Sequence, residues 1–449
     1  MHGVRGRYRI FVHFEGFTVP NVQFGSPAGG RLVHGACALA LCVSFAPALT
    51  AEPRPADSPP LPSDGSTRVL WQRVYASPAD DWINDIVAMH DGSFMAVGYL
   101  NRQETKSDWR ALAVQLRDNG DIVAAREYGA GGGVDAFWSM HEADDGKLAF
   151  SGFTSRIGGG GIDGWAMVTE KDGTIVKENA YGSGAGYDRF IDLAPAADGG
   201  YVFVGHAQPA GKPDVRYMLI VKTDASGIEQ WRRTHSGPES DPALYVEPSG
   251  DGGFIISGGF EDDLLVLKID AQGNESWRKT IGTPGVVDNN HGLVVLPDRR
   301  IVVVGYTASW GARSNDMLAA LLSPAGELQK VETFGGADDD RAILARADEQ
   351  GRTWVIGYTR SAGAGGWDVI VTRLDKEGSF EGGVTTLGTE KDDNGAAIRP
   401  LADGSLLIGG YSRSFGHGGE DAFIARISAP HWKTPHPAFA RKRVFPEAE

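Results

Sequence analysis

An Asp recurs seven times along this chain at a spacing of roughly 50 residues, at Asp81, Asp135, Asp188, Asp241, Asp288, Asp340 and Asp393. Each is followed 17 positions later by a Gly: Gly98, Gly152, Gly205, Gly258, Gly305, Gly357 and Gly410. Ten positions after each Asp stands a tight-turn pair: Asp91-Gly92, Asp145-Gly146, Asp198-Gly199, Asp251-Gly252, Asp298-Arg299, Gln350-Gly351 and Asp403-Gly404. A repeat of this length means a propeller or a solenoid, because one unit cannot bury its apolar faces alone.

The third copy displays the unit. Phe190-Ile191-Asp192-Leu193 leads through the turn at Asp198-Gly199-Gly200 to Tyr201-Val202-Phe203-Val204-Gly205. Tyr217-Met218-Leu219-Ile220-Val221 follows a longer loop, and Gln230-Trp231-Arg232-Arg233-Thr234 comes last. These read as four short strands joined by hairpin turns. The middle two are continuously apolar, as in a sheet covered on both faces, whereas the fourth mixes Trp with Arg, as on an outer edge. The Gly at offset 17 is expected where backbone approaches too closely for a Cβ.

The ends of the array decide between ring and solenoid. The seventh copy stops after its third strand, Ala422-Phe423-Ile424-Ala425-Arg426-Ile427. Its missing fourth strand stands at the other end, where Leu70-Trp71-Gln72-Arg73-Val74-Tyr75 matches Gln230-Trp231-Arg232-Arg233-Thr234 and Ser276-Trp277-Arg278-Lys279-Thr280. A solenoid has no use for such a permutation; a propeller closes its ring with it. The expected fold is all-β: a single seven-bladed β-propeller with four-stranded blades over residues 67–432, closed by the N-terminal strand.

The unit resembles that of bacterial exported β-propeller repeat proteins, distantly related to quinoprotein-like propellers. The residues that carry the likeness are Asp198-Gly199-Gly200-Tyr201, Gly357-Tyr358-Thr359-Arg360-Ser361, Lys268-Ile269-Asp270 and Asn274-Glu275-Ser276-Trp277-Arg278-Lys279. The resemblance implies the fold over the mature chain and, for function, surface or periplasmic binding modules without assigned chemistry.

Residues 31–51, RLVHGACALALCVSFAPALTA, carry the basic start, short apolar run and small-residue end of a secretory signal peptide. The apolar run is too short for a transmembrane helix. Residues 1–51 are therefore expected to be removed, the first 30 or so being an overlong leader or a start codon placed too early. Both cysteines, Cys37 and Cys42, lie in the apolar run, so the mature chain has no disulfide. Residues 52–66 form a Pro-rich spacer, expected to be extended and mobile. Residues 433–449 are expected to be a tail in which Arg441-Lys442-Arg443 is solvated. A formal net charge of −15 argues against a general nucleic-acid binder.

Catalytic signatures are thin. Asp118-Asn119-Gly120-Asp121 matches a turn position in other repeats and is read as a hairpin, not a calcium loop. Gly158-Gly159-Gly160-Gly161 has no following helix to hold a phosphate. The seven head Asp residues could form a cation ring, but a residue present in every blade is read as bonding the backbone N–H groups of its own loop. No metal or cofactor is expected. Function is sought in the loops between second and third strands, where this acidic chain gathers Arg and aromatic side chains. Arg156, Trp310, Arg313, Arg360, Trp367, Arg413 and His417 are the candidate contacts for a protein, glycan or anionic ligand of the cell envelope. Repeat four nearly lacks this loop, leaving a notch in the rim. The alternative is an enzyme acting on a saccharide or small metabolite, drawing on the head Asp residues and His141, His206 or His291.

Overall fold

The structure is a computed structural model. It describes residues 60–445 apart from 103–107, 130–131, 183–185, 209–210, 212–214, 236–242, 261–262, 284–285, 287, 311, 313 and 415–418. The expected leader and most of the spacer lie outside the described residues, as do Asp241, Arg313 and His417.

Among the described residues the regular elements are all strands, grouped into seven antiparallel sheets. The innermost strands are Trp82–Ala88, Asp135–Glu142, Arg189–Pro195, Ala243–Pro248, Asp288–Val295, Asp340–Ala347 and Asp393–Pro400. The expected blade pattern holds: second and third strands such as Leu148–Thr154 and Asp163–Thr169 are buried throughout, while the outer strand Glu229–His235 alternates. Apolar side chains collect in the seams between adjacent blades. Between blades three and four, for example, Val202, Val204 and Ile220 meet Val246, Ile256 and Leu267.

The offset-17 glycine has a specific cause. A Cβ on Gly98, Gly152, Gly205, Gly305, Gly357 or Gly410 would stand between 1.8 and 2.0 Å from the carbonyl oxygen of Trp82, Ala136, Arg189, Asn289, Arg341 or Asn394. Each contact lies at the β-bulge where the innermost strand slips one residue against its partner.

The ring closes as expected. Val69–Tyr75 pairs antiparallel with Asp421–Ile427 and completes blade seven. Trp71 lies over Gly120 of blade one and donates from its indole nitrogen to the Asp118 carbonyl at 2.9 Å. Trp231 and Trp277 lie over Gly273 and Gly326 of the next blade in the same way.

Both ends of the array hold more structure than the sequence suggested. The spacer is anchored at its end: Leu61 is 2% exposed, and Ser63 bridges to Leu387 on the outer strand of blade six. The expected solvated tail is corrected. After blade seven the chain crosses blade six, where Trp432 covers Gly383 and its indole nitrogen donates to the Thr385 hydroxyl at 3.1 Å. Ala440–Phe445 then adds a fifth strand to blade five, paired with Leu328–Gly335. Arg441 donates to the Phe380 carbonyl at 2.7 Å. The backbone of this basic triplet is hydrogen-bonded to a sheet edge, although the side chains of Arg441 and Lys442 stay exposed.

Candidate functional site

The six described head Asp residues, Asp81, Asp135, Asp188, Asp288, Asp340 and Asp393, stand at or one residue before the start of the innermost strands and are buried, and the bonds they make fit the structural reading. Asp340 accepts from the Gly336 N–H at 2.7 Å and the Ser361 hydroxyl at 2.8 Å, and also from the Thr359 hydroxyl. Asp393 accepts from the Thr389 N–H at 2.8 Å and from the hydroxyls of Ser412 and Ser414. Asp288 is held by Thr283, Thr307 and Ser309, and Asp81 by Ser77 and Asn101. Burial pushes the Asp81 carboxyl up to about 7 and the Asp340 carboxyl up to about 6, against the pull of these donors. Among the described residues no three His, Cys, Asp or Glu side chains are grouped to hold a metal ion.

The candidate loop residues do not gather at one point. Arg156 forms an ion pair with Glu178 at 2.6 Å and lies over Trp165. Arg413 bridges Asp392 at 3.2 Å and Glu420 at 2.7 Å. Trp310 has a positive φ of 52°, packs against the core between blades four and five, and accepts from Lys442 of the C-terminal strand through its carbonyl. Arg360 and Trp367 do come together. The Arg360 guanidinium lies 4.3 Å from the Trp367 ring centroid, and Arg341 approaches the same ring at 5.3 Å. Trp367 is itself buried, whereas Arg360 is exposed and forms no ion pair among the described residues.

Two constellations escaped sequence reading. One is an aromatic belt just inside the loop face. The residue after each offset-17 Gly is Tyr99, Phe153, His206, Gly259, Tyr306, Tyr358 or Tyr411. Tyr411 stacks on Trp82 at 4.4 Å, Tyr99 on Trp109 at 4.5 Å, and Phe153 lies 6.1 Å from Tyr187. The fixed register of these rings was visible in the sequence. Blade three places His206 in this belt, and blade four only Gly259.

The other is a charged network in the innermost strands. Arg346 pairs with Asp85 at 3.5 Å. Asp192 accepts from the Val246 N–H at 3.0 Å, and the Tyr245 hydroxyl donates to the Ile343 carbonyl at 3.3 Å. Burial pushes the Asp192 carboxyl up to about 7, opposed by Arg346. Burial also raises Glu247, opposed by Arg346 and Arg399. The signal for this network was a charge inside otherwise apolar strands. The three histidines considered for catalysis are buried or half-buried, and burial lowers each; His291 falls to about 3.

Together these features define the class as a closed seven-bladed β-propeller. No known family matches the chain, and no curated protein matches it in sequence. Among solved structures it is similar to the polysaccharide lyase Uly1, with 11% identity over 79% of this chain and 91% of that one, at a TM-score of 0.47. It is similar to the NanB sialidase of Streptococcus pneumoniae (K499G mutant), with 12% identity over 82% of this chain and 71% of that one, at a TM-score of 0.44. A gluconolactonase of Xanthomonas campestris is 16% identical over 78% of this chain and 97% of that one, at a TM-score of 0.37. No activity is inferred from them. Among the described residues no helix is long and apolar enough to cross a membrane.

Proposed function

We propose that this chain is a non-catalytic binding module of the bacterial cell envelope, exported under the segment at residues 31–51. Its ligand is an anionic group on a glycan or protein, met at the variable-loop face. The observation that carries this reading is the exposed Arg360 guanidinium stacked on Trp367 without an acidic partner among the described residues. Stacking uses the face of a guanidinium and fixes its plane, which leaves the in-plane N–H donors directed at solvent, where a carboxylate, sulfate or phosphate can accept them. The commitment of Asp81, Asp288, Asp340 and Asp393 to backbone N–H and hydroxyl donors of their own loops supports a non-catalytic role.

The test is binding of the full chain to acidic and neutral oligosaccharides and to envelope extracts. Arg360→Ala should weaken retention of acidic ligands at least about tenfold and leave the melting temperature unchanged. Arg360→Lys should not restore it, because an ammonium cannot stack and fork together. Retention that is indifferent to both substitutions, or equal for neutral and acidic ligands, refutes the assignment.

A further inference from the structure

Blade six breaks an ion-pair pattern that three other blades follow. Lys222, Lys268 and Arg426 stand at one register of the third strand, opposite the second residue of the second strand. Each pairs with the Asp of its own blade's turn: Asp198 at 2.8 Å, Asp251, and Asp403 at 2.7 Å. Blade six has Arg373 at this register, opposite Trp354, but Gln350 stands where the turn Asp would be. Arg373 turns instead to Glu381 on the outer strand Phe380–Leu387: its Nε donates to Oε1 at 2.9 Å and its Nη2 to Oε2. The guanidinium lies 4.8 Å from the Trp354 ring and 5.4 Å from the ring of Trp432, on the C-terminal strap. Its remaining nitrogen, Nη1, makes no hydrogen bond among the described residues.

Arg373, Glu381 and Trp432 line a cleft of about 580 Å³ between this sheet and the strap, with His431, Lys433 and Pro435 on the strap side. That volume lies in the range of small-ligand sites. The strap is pinned at both ends of the span: the His431 N–H donates to the Ser66 carbonyl and the His436 N–H to the Gly382 carbonyl, each at 2.9 Å. The cleft is therefore formed without a ligand. The Arg373 and Glu381 side chains are 18% and 27% exposed, so they are partly desolvated but within reach. Glu381 already balances the charge of Arg373, so the pair does not call for an anion. It offers open N–H donors and spare carboxylate lone pairs side by side. A hydroxyl donates and accepts, and a ring with neighbouring hydroxyls has C–H groups that an aromatic wall can cover. His431 and Lys433 are exposed and solvated, and need no counter-charge.

We propose that the cleft between blade six and the C-terminal strap is a saccharide site, taking an uncharged pyranose ring with adjacent hydroxyls. Arg373 donates to one hydroxyl oxygen, Glu381 accepts from its neighbour, and Trp432 supplies the apolar wall. Arg373 stands at the opposite end of the strand Asp368–Leu374 from the loop that carries Arg360, and Arg360 has no acid to balance it. The two sites therefore ask for different ligands, and each stands or falls without the other.

The experiment is titration calorimetry of the full chain with maltose, lactose and diacetylchitobiose, and with glucuronate as the acidic control. At least one neutral disaccharide should bind saturably, and raising sodium chloride about tenfold should leave that affinity unchanged, because no net charge is being met. Arg373→Lys removes the planar fork, and Glu381→Gln puts a donor in place of one acceptor oxygen; each should weaken binding at least about tenfold. Trp432→Ala should abolish binding but also frees the strap, so the two polar variants carry the test. Lys433→Ala and Arg360→Ala should bind the sugar as the parent does. Binding of glucuronate alone, weakened by salt and by Lys433→Ala, would make the cleft a basic patch and overturn the proposal. No binding of any neutral sugar overturns it too, as does binding unchanged in both Arg373→Lys and Glu381→Gln. Sugar binding lost in Arg360→Ala would place the ligand on the loop face and overturn it as well.

Discussion

A Cβ on Gly305 would meet the Asn289 carbonyl oxygen at 1.8 Å, and that oxygen is fixed by the bulge of the innermost strand. Backbone cannot step aside as a flexible side chain can. Gly305→Ala is therefore expected to cost about 1–3 kcal/mol in chemical denaturation, the usual range for overpacking a fixed site. A cost below about 0.5 kcal/mol would mean that the bulge is soft. Arg299 tests the opposite case. It has a positive φ of 66° at a turn position where other blades have Gly, such as Gly146 at 83°. Arg299→Gly should stabilise by up to about 1 kcal/mol by removing left-handed strain; a loss of stability would show that the Arg side chain matters more than its backbone. Both positions were legible in the sequence because the repeat isolates them. The state of Arg156 and Arg413 was not, because Glu178, Asp392 and Glu420 reach them only through blade geometry.

At the level of elements, the closing strand was legible and the C-terminal strand was not. Leu70–Tyr75 carries the outer-strand signature, and Trp71 does for blade one what Trp231 does for blade four. Ala440–Phe445 belongs to no repeat and has only six residues with three basic ones, so nothing in its pattern names blade five as its partner. The same is true of Trp432, whose seat exists because Gly383 leaves room for an indole. The two ends should then differ in their effect on stability. Trp71→Ala breaks a staple between first and last blades and should lower the melting temperature by several degrees, the scale set by losing a partly buried aromatic. Deleting residues 433–449 uncovers one sheet edge but leaves the ring closed, so the chain should remain a cooperative folder by calorimetry. If the truncation were to abolish cooperative unfolding while Trp71→Ala did nothing, closure would depend on the strap and not on the permuted strand.

Over the whole molecule, the innermost strands of different blades share one charged network, so its protonation affects the entire ring. Asp192 faces Ser139, Asp85 and Arg346, with Tyr245, Glu247 and Arg399 in the same network. Burial raises its carboxyl from the unfolded value of 3.8 to about 7. Between those values the folded protein holds a proton that the unfolded chain has released. The stabilising contribution is thus complete below the unfolded value and is lost as pH rises through the folded one, by up to about 1.4 kcal/mol per pH unit. Histidines act in the other direction: burial lowers His291 to about 3, so its contribution is present above 6.5 and lost as pH falls. Because the two classes oppose each other, the raw melting profile cannot isolate Asp192, but a difference profile can. Asp192→Asn keeps an acceptor for the Val246 N–H and cannot ionise. The variant should gain on the parent steadily from pH 4 to pH 7 and hold a constant difference above it. A flat difference across that window would mean that Asp192 is ionised throughout, compensated by Arg346, and that the network is a fixed ion cluster.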